Sequence, residues 1–435
     1  MGAERYVVLG LAQARSGWFK SMAQWANSGT ISAEFVKCVS GEEMRARLAS
    51  GRPFSALLVD AALPALDRDL VDAARAVGCV TIAVDDRRGT GDWDALGVAG
   101  VLPDFFDPKA LLDVLGTHAS MIGRGDTLPG DSAPESDPGP RGRVAAVCGP
   151  GGTGVSTAAV ALAQGLADEA RHRRSVLLAD LSLHAEQAML HDARDVVPGV
   201  QELVEAHRSR RVPPEEVRTL TFDVHERGYH LLLGLRQARA WTTIRPRAFE
   251  AAFASLRGAY RVTVCDIDAD LEGEEEGGSI EVEERNVMSR TAALAADVVF
   301  AVGLAGMKGL HSLVRVLNEL RAVGVAADRV VPVVNRAPKG GRARSEITSA
   351  LADLTRAGGG SFSPPVFLPE RRVEEPLLDG VRLSATLSSP LRGAFAAIVD
   401  HGAPAPAPSP GKPQLVRPGS LGSWSGEDTE EAALG

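Results

Sequence analysis

An apolar strand that runs straight into a glycine-rich turn and leaves it as a helix constrains a fold more than any bulk property. Residues 144–167 read VAAVCGPGGTGVSTAAVALAQGLA. Val144 to Cys148 is an apolar, strand-like run, glycines stand at 149, 151, 152 and 154, and Ser156 opens a helical stretch. Glycines let backbone N–H groups approach an anion without Cβ atoms in the way, and the helix N-terminus adds its partial positive charge. The segment is therefore a phosphate site by construction, and it belongs in a sheet covered by helices.

Two templates fit the turn. Gly149-x-Gly151-x-x-Gly154 satisfies the dinucleotide fingerprint, with Asp180 ending the next strand where a ribose-binding acid would sit. Gly149-x4-Gly154-Val155-Ser156 fits the P-loop, except that valine replaces the lysine. The downstream chain favours the P-loop. A strand over 260–265 ends in Asp266, where a carboxylate would order a magnesium shell that the Ser156 hydroxyl also ligates. A further strand over 330–334 ends in Asn335-Arg336. An NAD(P)-binding Rossmann enzyme is the alternative of another class.

At 435 residues the chain has room for two or three domains. Residues 1–121 alternate apolar strands (6–11, 34–39, 55–59, 80–84, 100–102) with helical stretches, which predicts a doubly wound parallel sheet. Residues 122–141, IGRGDTLPGDSAPESDPGPR, have little to bury and read as a flexible linker. A second α/β pattern occupies 142–400, and 401–435 reads as a Pro-rich disordered tail. The expected fold class is α/β, with two doubly wound parallel-sheet domains. Four dispersed cysteines without metal spacing read as buried thiols. No apolar run is long enough to span a bilayer and no leader pattern opens the chain, so a cytoplasmic protein is expected.

The second domain resembles the MinD/ParA deviant-Walker ATPases. Their loop is matched by Pro150-Gly151-Gly152-Thr153-Gly154-Val155-Ser156-Thr157, their D-x-D segment by Asp180-Leu181-Ser182, and their base-recognition segment by VVNR at 333–336. The resemblance implies ATP or ADP with Mg2+. Gly149, Gly151, Gly152, Thr153, Gly154, Val155, Ser156, Thr157, Asn335 and Arg336 would hold the nucleotide, with Asn335 on the adenine edge. Ser156 and Asp266 would hold the metal, and Asp180 and Asp266 are the catalytic candidates. A degenerate receiver, a linker and a MinD-like domain form the layout of the CpaE/TadZ proteins of Tad (Flp) pilus loci, whose actinobacterial relatives include septum-site-determining proteins. VPGVQELVEA (197–206) and LPERRVEEPLLDGVRL (368–383) resemble that group too. The resemblance implies a homodimer that positions a pilus or secretion machine, with a secretion ATPase or a polar or septal scaffold as partner. A septum-site or chromosome-partitioning ATPase is the alternative within the superfamily.

The departures matter as much. Only six lysines occur (Lys20, Lys37, Lys109, Lys308, Lys339 and Lys412), and none lies between Lys109 and Lys308. The Walker lysine is Val155, the signature lysine that crosses the family's dimer is Pro150, and the second acid of D-x-D is Ser182. Losing a charge-assisted contact costs about 1.5–3 kcal/mol in binding. A weak or pseudo-ATPase is therefore expected, with Arg141, Arg143 and Arg336 as the arginines that could compensate.

In the first domain Asp60 takes a receiver's phospho-acceptor position. The metal-binding acid pair is replaced by Gly10-Leu11-Ala12-Gln13, the conserved-type lysine by Asp104, and the hydroxyl by Asp85 or Asp86. Phosphotransfer is not expected, and the domain reads as a docking or dimerisation module. The acidic insertion 267–286 reads as a solvated loop, with partner docking as its alternative. A net charge of −9 argues against nucleic acid as a partner, so the arginine groups at 171–174 and 208–211 read as solvated helix ends. With its run of prolines and an acidic end over 402–435, self-anchoring through a C-terminal amphipathic helix is not expected.

Overall fold

The computed structural model describes residues 5–14, 16–85, 92–122, 141–273, 279–356 and 361–401. Asp86, nearly all of the linker, residues 274–278 of the acidic insertion and the tail from residue 402, with Lys412, lie outside these.

The first sheet holds β1 (Tyr6–Leu11), β2 (Ala33–Lys37), β3 (Ala56–Asp60), β4 (Val80–Asp85) and β5 (Gly100–Pro103) in the order β2-β1-β3-β4-β5. All neighbours run parallel. Leu57, Leu58 and Val59 are fully buried because helices cover both faces, which is why such strands are continuous apolar runs.

The second sheet has eight strands: β6 (Arg143–Cys148), β7 (Val176–Asp180), β8 (Phe222–Val224), β9 (Tyr229–Leu232), β10 (Val262–Asp266), β11 (Val298–Leu304), β12 (Val330–Ala337) and β13 (Val366–Pro369). Their order is β13-β12-β11-β6-β10-β7-β9-β8. Every neighbouring pair runs parallel, as the doubly wound class expects, except that β8 pairs antiparallel with β9 at one edge. Only a short turn, His225 to Gly228, joins those two strands, and a tight turn can join only antiparallel ones.

This order bears on the two templates. The dinucleotide arrangement sets the acid-bearing strand directly beside the glycine strand. Here β10 pairs with both β6 and β7 and separates them. Asp180 is thus one strand too far away for the ribose role, whereas Asp266 stands beside the loop, in register with Val147 on one side and Asp180 on the other.

The glycine-loop helix Val155–Ala167 is buried from Ala158 onward. It packs against the helix Ala385–His401, and a Cβ at Gly165 would already press on Ser388 at 3.1 Å. The two sheets meet where the helix Arg68–Ala76 packs on the helix Pro246–Ala259. Among the described residues no helix is long and apolar enough to cross a membrane.

Candidate functional site

The loop leaves β6 with no room for side chains at two points. A Cβ on Gly149 would lie 2.2 Å from the Val302 carbonyl of β11. Gly154 has φ +91°, and a Cβ there would meet the Asn335 Nδ2 at 2.5 Å. Both positions therefore require glycine. The crest, Gly151 and Gly152, is exposed, while Thr153 turns inward and donates its hydroxyl to the Pro150 carbonyl at 2.7 Å.

Asn335 fastens the loop to β12. Its Nδ2 donates to the Thr153 carbonyl at 2.8 Å, and its Oδ1 accepts the Arg336 N–H at 2.9 Å. Both ends of the amide are thus engaged within the protein, which gives Asn335 a structural task beside the base-edge role that the resemblance implies. Arg336, at φ +50°, lines a small cavity with Gly154, Thr157, Asn335 and Leu368.

Val155 and Thr157 are half-buried at the start of the helix, and Val155 packs into the core under the loop. Arg143 does not replace the missing lysine. It pairs with Asp297 at 2.8 Å at the N-terminal end of β6, the opposite edge of the sheet from the loop. Pro150 lines a larger cavity of about 410 Å³ with Asp270, Leu271, Arg315 and Glu319.

Beneath the loop lie the acids. Asp180 and Asp266 are 0% and 2% exposed. Asp180 accepts the Ser182 hydroxyl at 2.9 Å on one oxygen and the Gln187 N–H at 2.9 Å on the other. Asp266 accepts the Gln187 Nε2–H at 2.7 Å, with the Ser156 side chain close by. Burial, with Asp180 close by, pushes Asp266 up to about 8, and burial raises Asp180 to about 6. Asp268, also raised by burial, accepts the Leu183 N–H at 2.7 Å. Ser182 therefore uses its hydroxyl to satisfy Asp180.

These residues do not fit a magnesium ion as arranged. The ion needs oxygen lone pairs around it. Ser156 and Asp266 do stand together, but the Gln187 amide fills the space with N–H donors, one toward the Asp266 carboxyl and one toward the Ser156 carbonyl. Gln187 and Asp268 escape motif reading: Gln187 lies seven residues past Asp180 in sequence, and the chain turns it back under the loop.

In the first sheet, Asp60 accepts the Ser16 hydroxyl at 2.6 Å and the N–H groups of Ala62 at 3.2 Å and Gln13 at 3.4 Å. The carboxylate thus serves as a local tie at the end of β3. Asp85 accepts the Trp93 indole N–H at 3.1 Å. The arginine groups are largely matched: Arg171 with Glu169, Arg174 with Asp223, Arg208 with Asp67, and Arg210 with Glu216. All four cysteines are buried free thiols.

No family model matches the sequence, and no curated protein matches it. Similar solved structures include a ParA family ATPase from Chlorobium tepidum TLS, at 18% identity and a TM-score of 0.46, covering 58% of this chain and 98% of that one. They include the cell division ATPase MinD of Pyrococcus furiosus, at 18% identity and 0.43, covering 60% and 100%. A third is the septum site-determining protein MinD with Mg-ADP from Pyrococcus horikoshii OT3, at 20% identity and 0.42, covering 60% and 97%. At this distance the likeness is one of α/β layout. The class that fold and site define is a two-sheet α/β protein with a glycine-loop unit, and its functional reading rests on its own residues.

Proposed function

We propose that this chain is a MinD/ParA-type positioning factor that responds to nucleotide occupancy, with little or no turnover. The observation that carries the reading is a glycine loop held in shape by Asn335 while its charged positions are replaced. The backbone N–H groups and the helix N-terminus at Val155 bind phosphate oxygens. Neither motif position supplies a lysine, since 150 and 155 are proline and valine. A lysine charge at the phosphates stabilises the transition state as well as the ground state. Ser182 and the bonded, buried Asp180 leave the 180–182 segment without a free carboxylate to orient an attacking water.

ATP or ADP is the ligand that this reading assigns, and a homodimer is the active form. The first sheet acts as a docking module and not as a phospho-receiver. The assembly positioned is a septal or chromosomal one, or a Tad-type pilus or secretion machine; the receiver-like sheet preceding the glycine-loop unit supports the pilus cargo. A cytoplasmic protein recruited to pole or septum by its partner is consistent with both.

Calorimetric titration of ADP, ATP and NADH into the full chain tests the ligand, with light scattering to follow dimer formation. Micromolar-to-millimolar adenine nucleotide binding with slow hydrolysis is expected. Hydrolysis at rates ordinary for the superfamily, lost in Asp266→Ala, would overturn the occupancy reading. Cross-linked partner capture in the native host separates a secretion ATPase from a septal scaffold.

A further inference from the structure

We propose that the Gln187 carboxamide occupies the place of the divalent cation at the glycine loop, so that this chain holds phosphate without Mg2+. The second half rests on the nucleotide reading above; the first half does not.

Gln187 is 0% exposed. Its Nε2 donates to the Asp266 Oδ2 at 2.7 Å and to the Ser156 carbonyl at 3.2 Å. Both acceptors fix the orientation of the amide. Rotating it would set its oxygen against a carboxyl oxygen and a carbonyl oxygen, with nothing gained, since Oε1 has no partner in its present position. The main chain is held as firmly. The Gln187 N–H donates to the Asp180 Oδ2 at 2.9 Å, and its carbonyl accepts the His191 Nδ1–H at 2.8 Å. The other ring nitrogen of His191 then accepts the Tyr229 hydroxyl at 2.7 Å.

The oxygens that would surround an ion are therefore already occupied. Asp180 is satisfied on both oxygens, and Asp266 takes the amide, which also holds the Ser156 carbonyl. An ion at the centre would need about six oxygen ligands at about 2.0–2.1 Å and would face two N–H hydrogens instead. The amide does what the cation does elsewhere: it links Asp266 to the loop helix through Ser156. Such a link is permanent and does not depend on ligand.

Manganese(II) binding to the full-length chain, read from the electron paramagnetic resonance of the free ion, tests this without nucleotide. The quantity is the uptake by wild type minus that by Asp266→Asn, which removes ions held elsewhere. A difference near zero is expected, and a difference of about one ion per chain overturns the proposal. Gln187→Ala and Gln187→Glu each open the site, and about one added ion is expected in whichever variant folds. If neither folded variant gains an ion, the amide is not what excludes it and the proposal falls.

The nucleotide arm uses fluorescent ADP with Mg2+ or with chelator. Wild-type affinity should differ by less than about twofold, while a gain of more than about tenfold with Mg2+ overturns the second half. Absence of nucleotide binding in both conditions would sink the occupancy reading and the second half together. The manganese result would still decide the first.

Discussion

Asp69 caps a helix that belongs to the other sheet. It sits in the first turn of the helix Arg68–Ala76, and its carboxylate accepts the N–H groups of Arg247 at 3.0 Å and Ala248 at 3.3 Å, the opening turn of Pro246–Ala259. Beside it, buried Asp67 caps its own helix through the Leu70 N–H at 2.9 Å and takes Arg45 at 2.9 Å and Arg208 at 3.1 Å. Arg208 also donates to the Pro64 carbonyl at 3.0 Å. The loop that follows Asp60 is thereby tied to the glycine-loop unit.

Asp69→Ala should cost about 0.5–2 kcal/mol, the usual worth of a helix cap. Asp69→Asn keeps an acceptor and should cost less. Urea denaturation gives the stability, and amide exchange at Arg247 and Ala248 gives the location. Unchanged exchange at those two amides would show that the cap does not form.

Gly154→Ala should disable the loop. The position combines φ +91° with a would-be Cβ 2.5 Å from the Asn335 Nδ2. Strain of this kind costs about 1–3 kcal/mol. Asn335→Ala removes the obstacle and also the hydrogen bond to Thr153, so the double variant should be less destabilised than the sum of the two singles. Strict additivity in thermal denaturation would mean that the two side chains do not meet.

What could be read from the sequence follows from how local each cause is. Strands β3, β6, β7 and β10 are apolar runs, and β3, β7 and β10 end in an aspartate, so both the sheets and the acids Asp60, Asp180 and Asp266 were visible in the chain. The three departures, Pro150 and Val155 in the glycine loop and Ser182 after β7, were equally visible, since a motif position is filled or it is not. Gln187 was not. Its task comes from a return of the chain that brings residue 187 against residues 156 and 266, and no periodicity encodes that. Arg143 was misplaced for a related reason: it is near the loop in sequence, yet a strand's length separates it from the loop in space. The cap from Asp69 crosses between sheets and has no local signature at all.

Gln164 offers a test of how the C-terminal helix is held. Its amide is 2% exposed and bonds one residue twice, donating to the Leu383 carbonyl at 2.9 Å and accepting the Leu383 N–H at 2.8 Å. Gln164→Leu conserves volume but strands both backbone groups of a buried residue. A loss of about 1–3 kcal/mol per stranded group is expected. Limited proteolysis near residue 383 should accelerate along with the loss of stability. A variant as stable and as resistant as wild type would mean that the helix Ala385–His401 docks without this clamp.

The acid pair predicts a pH dependence of definite sign. Asp266 is raised to about 8 and Asp180 to about 6, against about 4 for an aspartate in the unfolded chain. Between those limits the folded protein binds more protons than the unfolded one, so stability falls as pH rises and levels off above the folded value. Burial lowers His191 to about 4, which acts in the opposite sense. Its contribution is complete above the unfolded histidine value of about 6.5 and is lost as pH falls toward 4. From about pH 6.5 to 8 only the acids of this cluster titrate between states. In that window the melting temperature of wild type should drop faster than that of Asp266→Asn, which retains the Gln187 contact without a titrating proton. Parallel curves would mean that Asp266 is ionised in the folded protein, and a wild-type curve rising relative to the variant would mean that a cation or a positive side chain faces it.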